Sequence, residues 1–349
     1  MDTYVGLLNS VEEALDPDLT SFKAVIKLKP PSLSSWLLLG SWQAHAQRLL
    51  SRETIEGATL GLVLHWRIDP MSEMAMTSTG HALSDAPWLD AHFESARAEY
   101  EDALRFVGIL SGWAVLDAGC GPGGYVPLIC EHVGSTGRVA ALDLAPENIA
   151  HVERLVREGR CAAPVEARIG SVLDLPFADA TFDCVWCANV VQYLTGAEFT
   201  RVLGEFRRVT KPGGIVAVKD FDATILQVLP LDPSIQARLI AARRAKAAET
   251  GSLDIWCGPF LGPFFRQAGL NDLMRKSWLV ERWAPPPPPT REFVTLLLRR
   301  QASVAAEHDV PPEDYEALRT AAADPDRLLD DPDFCLREAF VVTLGRVPT

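Results

Sequence analysis

The sequence predicts an α/β fold built on a mostly parallel sheet, and three observations predict it. In the stretch Val115-Leu116-Asp117-Ala118-Gly119-Cys120-Gly121-Pro122-Gly123-Gly124-Tyr125, an apolar run closed by an acid meets glycines at alternate positions. A second apolar run, Arg138–Leu142, ends in Asp143 about one strand–helix–strand unit later. Further short apolar runs then alternate with helical periodicity as far as Asp222. Strands alternating with helices at such lengths read as parallel βαβ units. Glycine alone lets backbone turn sharply or approach a ligand closely, because it has no Cβ. A strand, a tight glycine turn and a helix start together form a cradle for a nucleotide-type cofactor.

Composition bounds the rest. The 349 residues are 48% apolar, enough for a proper core in one large domain or one domain with an extension. Lys and Arg number 33 against 46 Asp and Glu, for a net charge of −13. A nucleic-acid binder presents a basic face, so this balance argues against RNA or DNA as substrate. Seven scattered cysteines do not form a disulfide framework and fit a reducing cytoplasm. Cys184 and Cys187 sit three apart in a strand-like run and so on opposite faces, which makes them core thiols rather than metal ligands. No signal peptide and no apolar run of membrane-spanning length is expected.

In chain order, residues 1–88 form an N-terminal extension that could be a lid, a subunit interface for a homo-oligomer, or a packed cap. Phe22–Leu28 and Leu60–Ile68 are strand-like, and Ser34–Leu50 is helix-like. His65 reads as packed, and Met71, Met74 and Met76 as pocket or gap-filling residues. From Asp90 to Val107, Phe93, Ala96, Tyr100, Leu104 and Val107 fall at helical spacing. Trp113–Leu116 is the first strand, Tyr125–Val133 the first helix, and Arg138–Leu142 the second strand. Pro146 opens a helix whose inner face is Ile149, Val152 and Val156. Val165–Gly170 is the third strand, and a fourth lies within Ala180–Asn189. Thr195-Gly-Ala-Glu198 is a capping box that opens a helix, Lys211-Pro-Gly-Gly214 stops it, and Ile215–Val218 is the fifth strand.

The glycine stretch resembles motif I of the class I S-adenosylmethionine methyltransferases, in which an acid and one spacer precede G-x-G-x-G. Ser171-Val172-Leu173-Asp174-Leu175-Pro176-Phe177, the following Thr181-Phe182-Asp183, and Lys211-Pro-Gly-Gly214 resemble segments of the ubiquinone/menaquinone-biosynthesis type (the methyltransferase domain 11/25 kind). The resemblance covers about residues 92–222. It implies a Rossmann-like seven-stranded sheet with an antiparallel last strand, residues 89–349 as the domain, and S-adenosylmethionine as cofactor. It also implies cofactor contacts at Asp117, Gly119, Cys120, Gly121, Gly123, Asp143, Leu144, Ser171, Val172 and Asn189. Asp117 would orient the loop and the methionine amino group, and Asp143 would accept from the ribose hydroxyls. Two departures stand out. The acid that would take the adenine amino group is Ser171 here, and Val191-Gln192-Tyr193 stands where relatives place a histidine. Gln cannot act as a base at neutral pH.

The second half is read as the acceptor side. Ser234–Glu249 is helical, Asp254–Phe265 is rich in aromatics and glycine, and Asp272–Trp283 is the sixth strand. Pro285–Pro289 reads as a stiff polyproline connector rather than a helix, leading to helices at 290–308 and 312–323 within an insertion at 285–330. Phe334–Val347 is the last strand, expected at the sheet edge. These features favour a methyltransferase for a small, partly apolar metabolite, with no metal. Asp220, Asp222, His92 and Tyr193 are the candidate bases, and His81, His92 and Tyr100 are candidates for the substrate side. Three rivals stay open. Gly119, Gly121 and Gly124 also match the nicotinamide fingerprint. A nucleic-acid amino-methyltransferase would want an N/D-P-P-Y/F-type motif where this chain has Ala188-Asn-Val-Val191. A protein can also bind S-adenosylmethionine without methylating, as a cyclase or a regulatory binder.

Overall fold

A computed structural model of the chain describes residues 86–349. The strand-like and helix-like segments before residue 68, His65, the three methionines and His81 lie outside the described residues. Among the described residues, eight strands form one sheet: β1 (Ala114–Ala118), β2 (Arg138–Asp143), β3 (Val165–Ile169), β4 (Phe182–Ala188), β5 (Thr210–Phe221), β6 (Gln227–Leu229), β7 (Asn271–Trp283) and β8 (Cys335–Arg346). β1 pairs in parallel with β2 on one side and β4 on the other, β3 extends the β2 side and β5 the β4 side, all parallel. β8 runs antiparallel to β5, to the short β6 that takes over where β5 ends, and to β7. The sheet is Rossmann-like. Its order reverses at β1, and a crevice opens at the carboxyl ends of β1 and β4, the place where such sheets bind ligands.

Strand side chains alternate between two cores. On β4, Cys184 and Trp186 join one and Val185 and Cys187 the other. The first core is closed by α2 (Arg97–Val107), α3 (Val126–Val133) and α4 (Pro146–Arg157) through Tyr100, Leu104, Ile129 and Val152. The second is closed by α5 (Gly196–Val209) and the short α7 (Gly262–Gln267) through Phe199, Phe206 and Phe265. α5 starts at the expected capping box, with Thr195 and Glu198 bonded reciprocally. α6 (Pro233–Thr250) precedes α7, and α8 (Pro288–Ala306), α9 (Pro312–Ala323) and α10 (Asp326–Leu329) lie between β7 and β8. No helix among the described residues is long and apolar enough to cross a membrane.

Three expectations need correction. The last strand is not at the edge: β8 is buried on both faces and sits inside the sheet, while the charged and mostly exposed β7 forms the edge. A strand apolar on both faces needs neighbours, whereas an edge tolerates Lys, Arg and Glu. The proline run is only partly a connector, because Pro288 and Pro289 form the first turn of α8, where an N–H would have no helical partner anyway.

The helix expected over Asp90–Val107 is two helices, α1 (Ala86–Ser95) and α2, broken at Ala96 (φ −112°, ψ 14°). The break has a visible partner. Arg282 of β7 donates to the Ser95 carbonyl from Nε (3.1 Å) and Nη2 (2.7 Å), and pairs with Glu99 at 2.7 Å. It lets α2 pack on the sheet while Ala91 of α1 packs with Phe293, Val294 and Leu297 of α8. Truncating this arginine leaves a carbonyl and a carboxylate unmatched, so Arg282→Ala should lower unfolding free energy by about 1–3 kcal/mol. Denaturant titration checks this, and an unchanged midpoint would show that the clamp is not needed.

Candidate functional site

The crevice is shaped first by glycines. Gly119, Gly121 and Gly123 all take positive φ (75°, 54° and 92°), a region costly for other residues. A Cβ on Gly119 would strike the Val190 side chain, and one on Gly123 would come within 2.8 Å of Val152 Cγ2. The turn is then tied down at both ends. Gly119 and Cys120 donate to the Leu142 carbonyl (2.7 and 3.0 Å), and Gly121 N–H donates to Asp143 Oδ2 (2.8 Å). Asp143 Oδ1 also accepts from Ala145 N–H (2.9 Å) and Asn148 Nδ2 (3.0 Å), which fixes the start of α4.

A cavity of about 260 Å³ lies over this turn. Asp117, Gly119, Cys120, Gly121, Asp143, Leu144, Ser171, Val172 and Asn189 all line it; Gly123 does not, and acts by letting α4 approach the turn. Leu144 is 52% exposed at the rim. Ser171 Oγ accepts from Leu173 N–H (3.2 Å), turned toward its own loop. Burial pushes the Cys120 thiol well up, so it is a neutral wall group.

Asp117 is the unusual member. It is 1% exposed, and its Oδ2 has no hydrogen-bond partner. Burial, and secondarily the Asp143 charge, raise its pKa to about 8. A buried carboxyl without a donor is costly and calls for a cationic partner. The Tyr125 hydroxyl, in the same lining, is also buried and unpartnered.

A second cavity, about 110 Å³, adjoins the first and shares Leu89, His92, Asn189 and Tyr193 with it. Trp88, Leu226, Leu239, Phe293, Leu297 and Val304 give it apolar walls, and Arg243, paired with Asp254 at 2.5 Å, a polar end. Between the cavities lies a buried polar group. His92 Nε2 is 3.0 Å from Glu338 Oε1 and 3.2 Å from the Tyr100 hydroxyl. Lys219, wholly buried, donates to Tyr100 (3.0 Å) and to Asn189 Oδ1 (2.7 Å), with its ammonium 4.1–4.6 Å from the ring centroids of Tyr100, Phe221 and Phe340. Burial lowers the Lys219 pKa. Asn189 reaches this place from a positive φ of 60°.

The structure sorts the four candidate bases. His92 and Tyr193 line both cavities, and Asp222 lines the second, where its Oδ1 accepts from the Thr224 hydroxyl and from Thr224 N–H (3.3 Å). Asp220 lines neither. It is wholly buried, and accepts from Gln192 N–H (3.2 Å) and Phe221 N–H (2.9 Å). Side chains alternate along β5, so Lys219 faces the cavity wall and Asp220 the opposite core. Sequence reasoning missed Glu338 and Lys219. Their signal was a charged pair, Lys219-Asp220 or Arg337-Glu338, within a mostly apolar strand.

The family described as "Methyltransferase domain" matches residues 115–214. The 2-phytyl-1,4-beta-naphthoquinone methyltransferase of Arabidopsis thaliana is 36% identical over 126 residues, covering 34% of this chain and 46% of that one. A demethylmenaquinone methyltransferase of Bacillus velezensis is 32% identical over 128 residues, or 36% and 52% of the two chains. One from Geobacillus sp. is 33% identical over 194 residues, or 51% and 79%. The chain spans about half the length of the first two and most of the third. With its glycine turn at the reversal point of the sheet, the chain belongs to the class I S-adenosylmethionine-dependent methyltransferases of the ubiquinone/menaquinone-biosynthesis type.

Proposed function

We propose that the protein transfers a methyl group from S-adenosylmethionine to a small, partly apolar acceptor held in the second cavity. The observation that carries this reading is the wall shared by the two cavities, which brings a glycine-floored cradle and an apolar pocket together at His92, Asn189 and Tyr193. The cradle fits the donor. The unpartnered Asp117 Oδ2 suits an α-ammonium group, and Gly119 and Gly121 line the cavity without a Cβ, so a ligand can lie against backbone. Asp143 Oδ2 has accepting capacity left for ribose hydroxyls beyond its one bond to Gly121. Leu144 and Val172 offer apolar contact to the purine, with Ser171, Cys120 and Asn189 completing the lining.

When bound, the donor supplies an electrophilic methyl carbon on a sulfonium, and the carbon–sulfur pair stays on sulfur. The chain then has to align an acceptor atom with that carbon and keep water out, and positioning alone can supply much of the rate. The apolar walls support a bulky, lipid-like, quinone-like or secondary-metabolite acceptor, in keeping with relatives named for naphthoquinone and menaquinone substrates. The net charge of −13 supports a small molecule over a nucleic acid, and free buried thiols suit a reducing cytoplasm.

Calorimetry should show S-adenosylmethionine or its demethylated product binding with a Kd on the order of micromolar. Asp143→Ala, which frees the Gly121 turn and the start of α4, should abolish it; a wild type that binds neither compound contradicts the reading. Leu226→Trp, which fills the second cavity, should leave that binding intact and cut tritiated-methyl incorporation from a metabolite extract roughly tenfold or more. Equal incorporation would place the acceptor elsewhere.

Asp117 also sets a pH signature. Its folded pKa of about 8 exceeds the ordinary 3.8, so the folded state holds a proton that the unfolded chain gives up. The stability of the ligand-free protein from this group is full below about pH 4 and falls as pH rises toward about 8. Thermal melts at pH 6 and 8 should show the decline, and Asp117→Asn should flatten it. A wild type more stable at the higher pH, with the variant showing the same slope, would remove Asp117 from this role.

A further inference from the structure

We infer that His92 takes a proton from the acceptor through its Nδ1, held ready by Glu338, and that the acceptor class is a ring-borne hydroxyl of phenolic or enolic acidity. This rests on the donor and acceptor cavities assigned above. His92 is 3% exposed, stands in the wall common to both cavities, and is clamped between the rings of Phe293 (centroids 4.4 Å, 23° apart in plane) and Phe221 (5.1 Å, 26°). A ring so stacked cannot swing away.

Among the described residues both hydrogen bonds of His92 fall on Nε2, to Glu338 and Tyr100. A carboxylate facing Nε2 fixes the imidazole proton there and leaves the lone pair on Nδ1. Glu338 accepts there: burial works against its charge, but the hydrogen bond from His92 and the nearby Arg282 guanidinium favour it. The groups around the ring are therefore Glu338 from β8, Tyr100 from α2 and Lys219 from β5, with Arg282 of β7 acting on Glu338. α8 contributes the uncharged Phe293, and α1 the Trp88 ring.

In the step, the acceptor O–H bond breaks, its proton forms an N–H bond at Nδ1, and the electron pair left on the acceptor is the nucleophile for the methyl carbon. The imidazolium so formed faces the Glu338 carboxylate, which stabilises it. Acidity decides the class. An imidazole can take a proton from a phenol or an enol, whereas an aliphatic alcohol, far less acidic, lies beyond its reach. The aromatic lining of Trp88, Phe221 and Phe293 suits a planar ring.

The test uses 2-naphthol, whose ionised form has its own absorbance band, with wild-type protein saturated with S-adenosylhomocysteine at pH 7. Naphthol bound to wild type should be ionised at least about tenfold more than in solution, a pKa drop of about one unit. His92→Gln should return it to the solution value and Glu338→Gln should remove most of the shift, each read with S-adenosylhomocysteine bound at saturation. Naphthol that does not bind, that binds only neutral, or that is ionised equally by His92→Gln overturns the inference. Should either variant lose S-adenosylhomocysteine binding, the wild-type spectrum decides alone, since naphthol bound neutral contradicts the proposal whatever the variants do. Failure of wild type to bind S-adenosylhomocysteine would instead sink the donor assignment beneath it.

Discussion

One carboxylate holds the crevice together. Asp143 ends β2 and accepts at once from the glycine turn after β1 and from two groups at the start of α4. That requires an ionised acid at the carboxyl edge of the sheet, and a second acid, Asp117, stands on the neighbouring strand in nearly dry surroundings. Two carboxylates so placed cannot both ionise cheaply without a cation. Asp143 accepts three hydrogen bonds, whereas Asp117 Oδ2 has none and is the oxygen that asks for a ligand. The electrostatics of the cradle follow from this asymmetry.

The second cavity follows from a different constraint. α1 and α2 are separate because Arg282 takes the Ser95 carbonyl, and that break sets His92 between the sheet and α8. Residues distant in sequence then converge: His92 before the glycine turn, Lys219 at the end of β5 and Glu338 in β8. A buried polar network of this kind is costly if any member lacks its partner, and here each one named has at least one. It stands between the two cavities.

How much of this was legible beforehand depended on the range of the cause. The strands of the cofactor half, the capping box at Thr195 and Glu198, and the positions of Asp117 and Asp143 were readable, because glycine spacing, apolar runs and caps are local signals. The place of β8 inside the sheet was missed, though its double-sided burial was written in its apolar residues. The split between α1 and α2 was invisible, because its cause lies in β7. Asp220 was nominated for its position after a strand, and the register of β5 turns Lys219 rather than Asp220 toward the wall. Glu338 stands beside Arg337 in a mostly apolar strand, with nothing in the sequence to name His92 as its partner.

The central claim is that Asp117 waits protonated for the ammonium group of S-adenosylmethionine. Calorimetric titration at pH 6.5 in buffers of different ionisation enthalpy measures the protons released on binding. If Asp117 gives up its proton to pair with that group, wild type should release close to one proton per ligand bound, and Asp117→Asn close to none. Binding of wild type with no proton release, or with the same release as Asp117→Asn, would contradict the account.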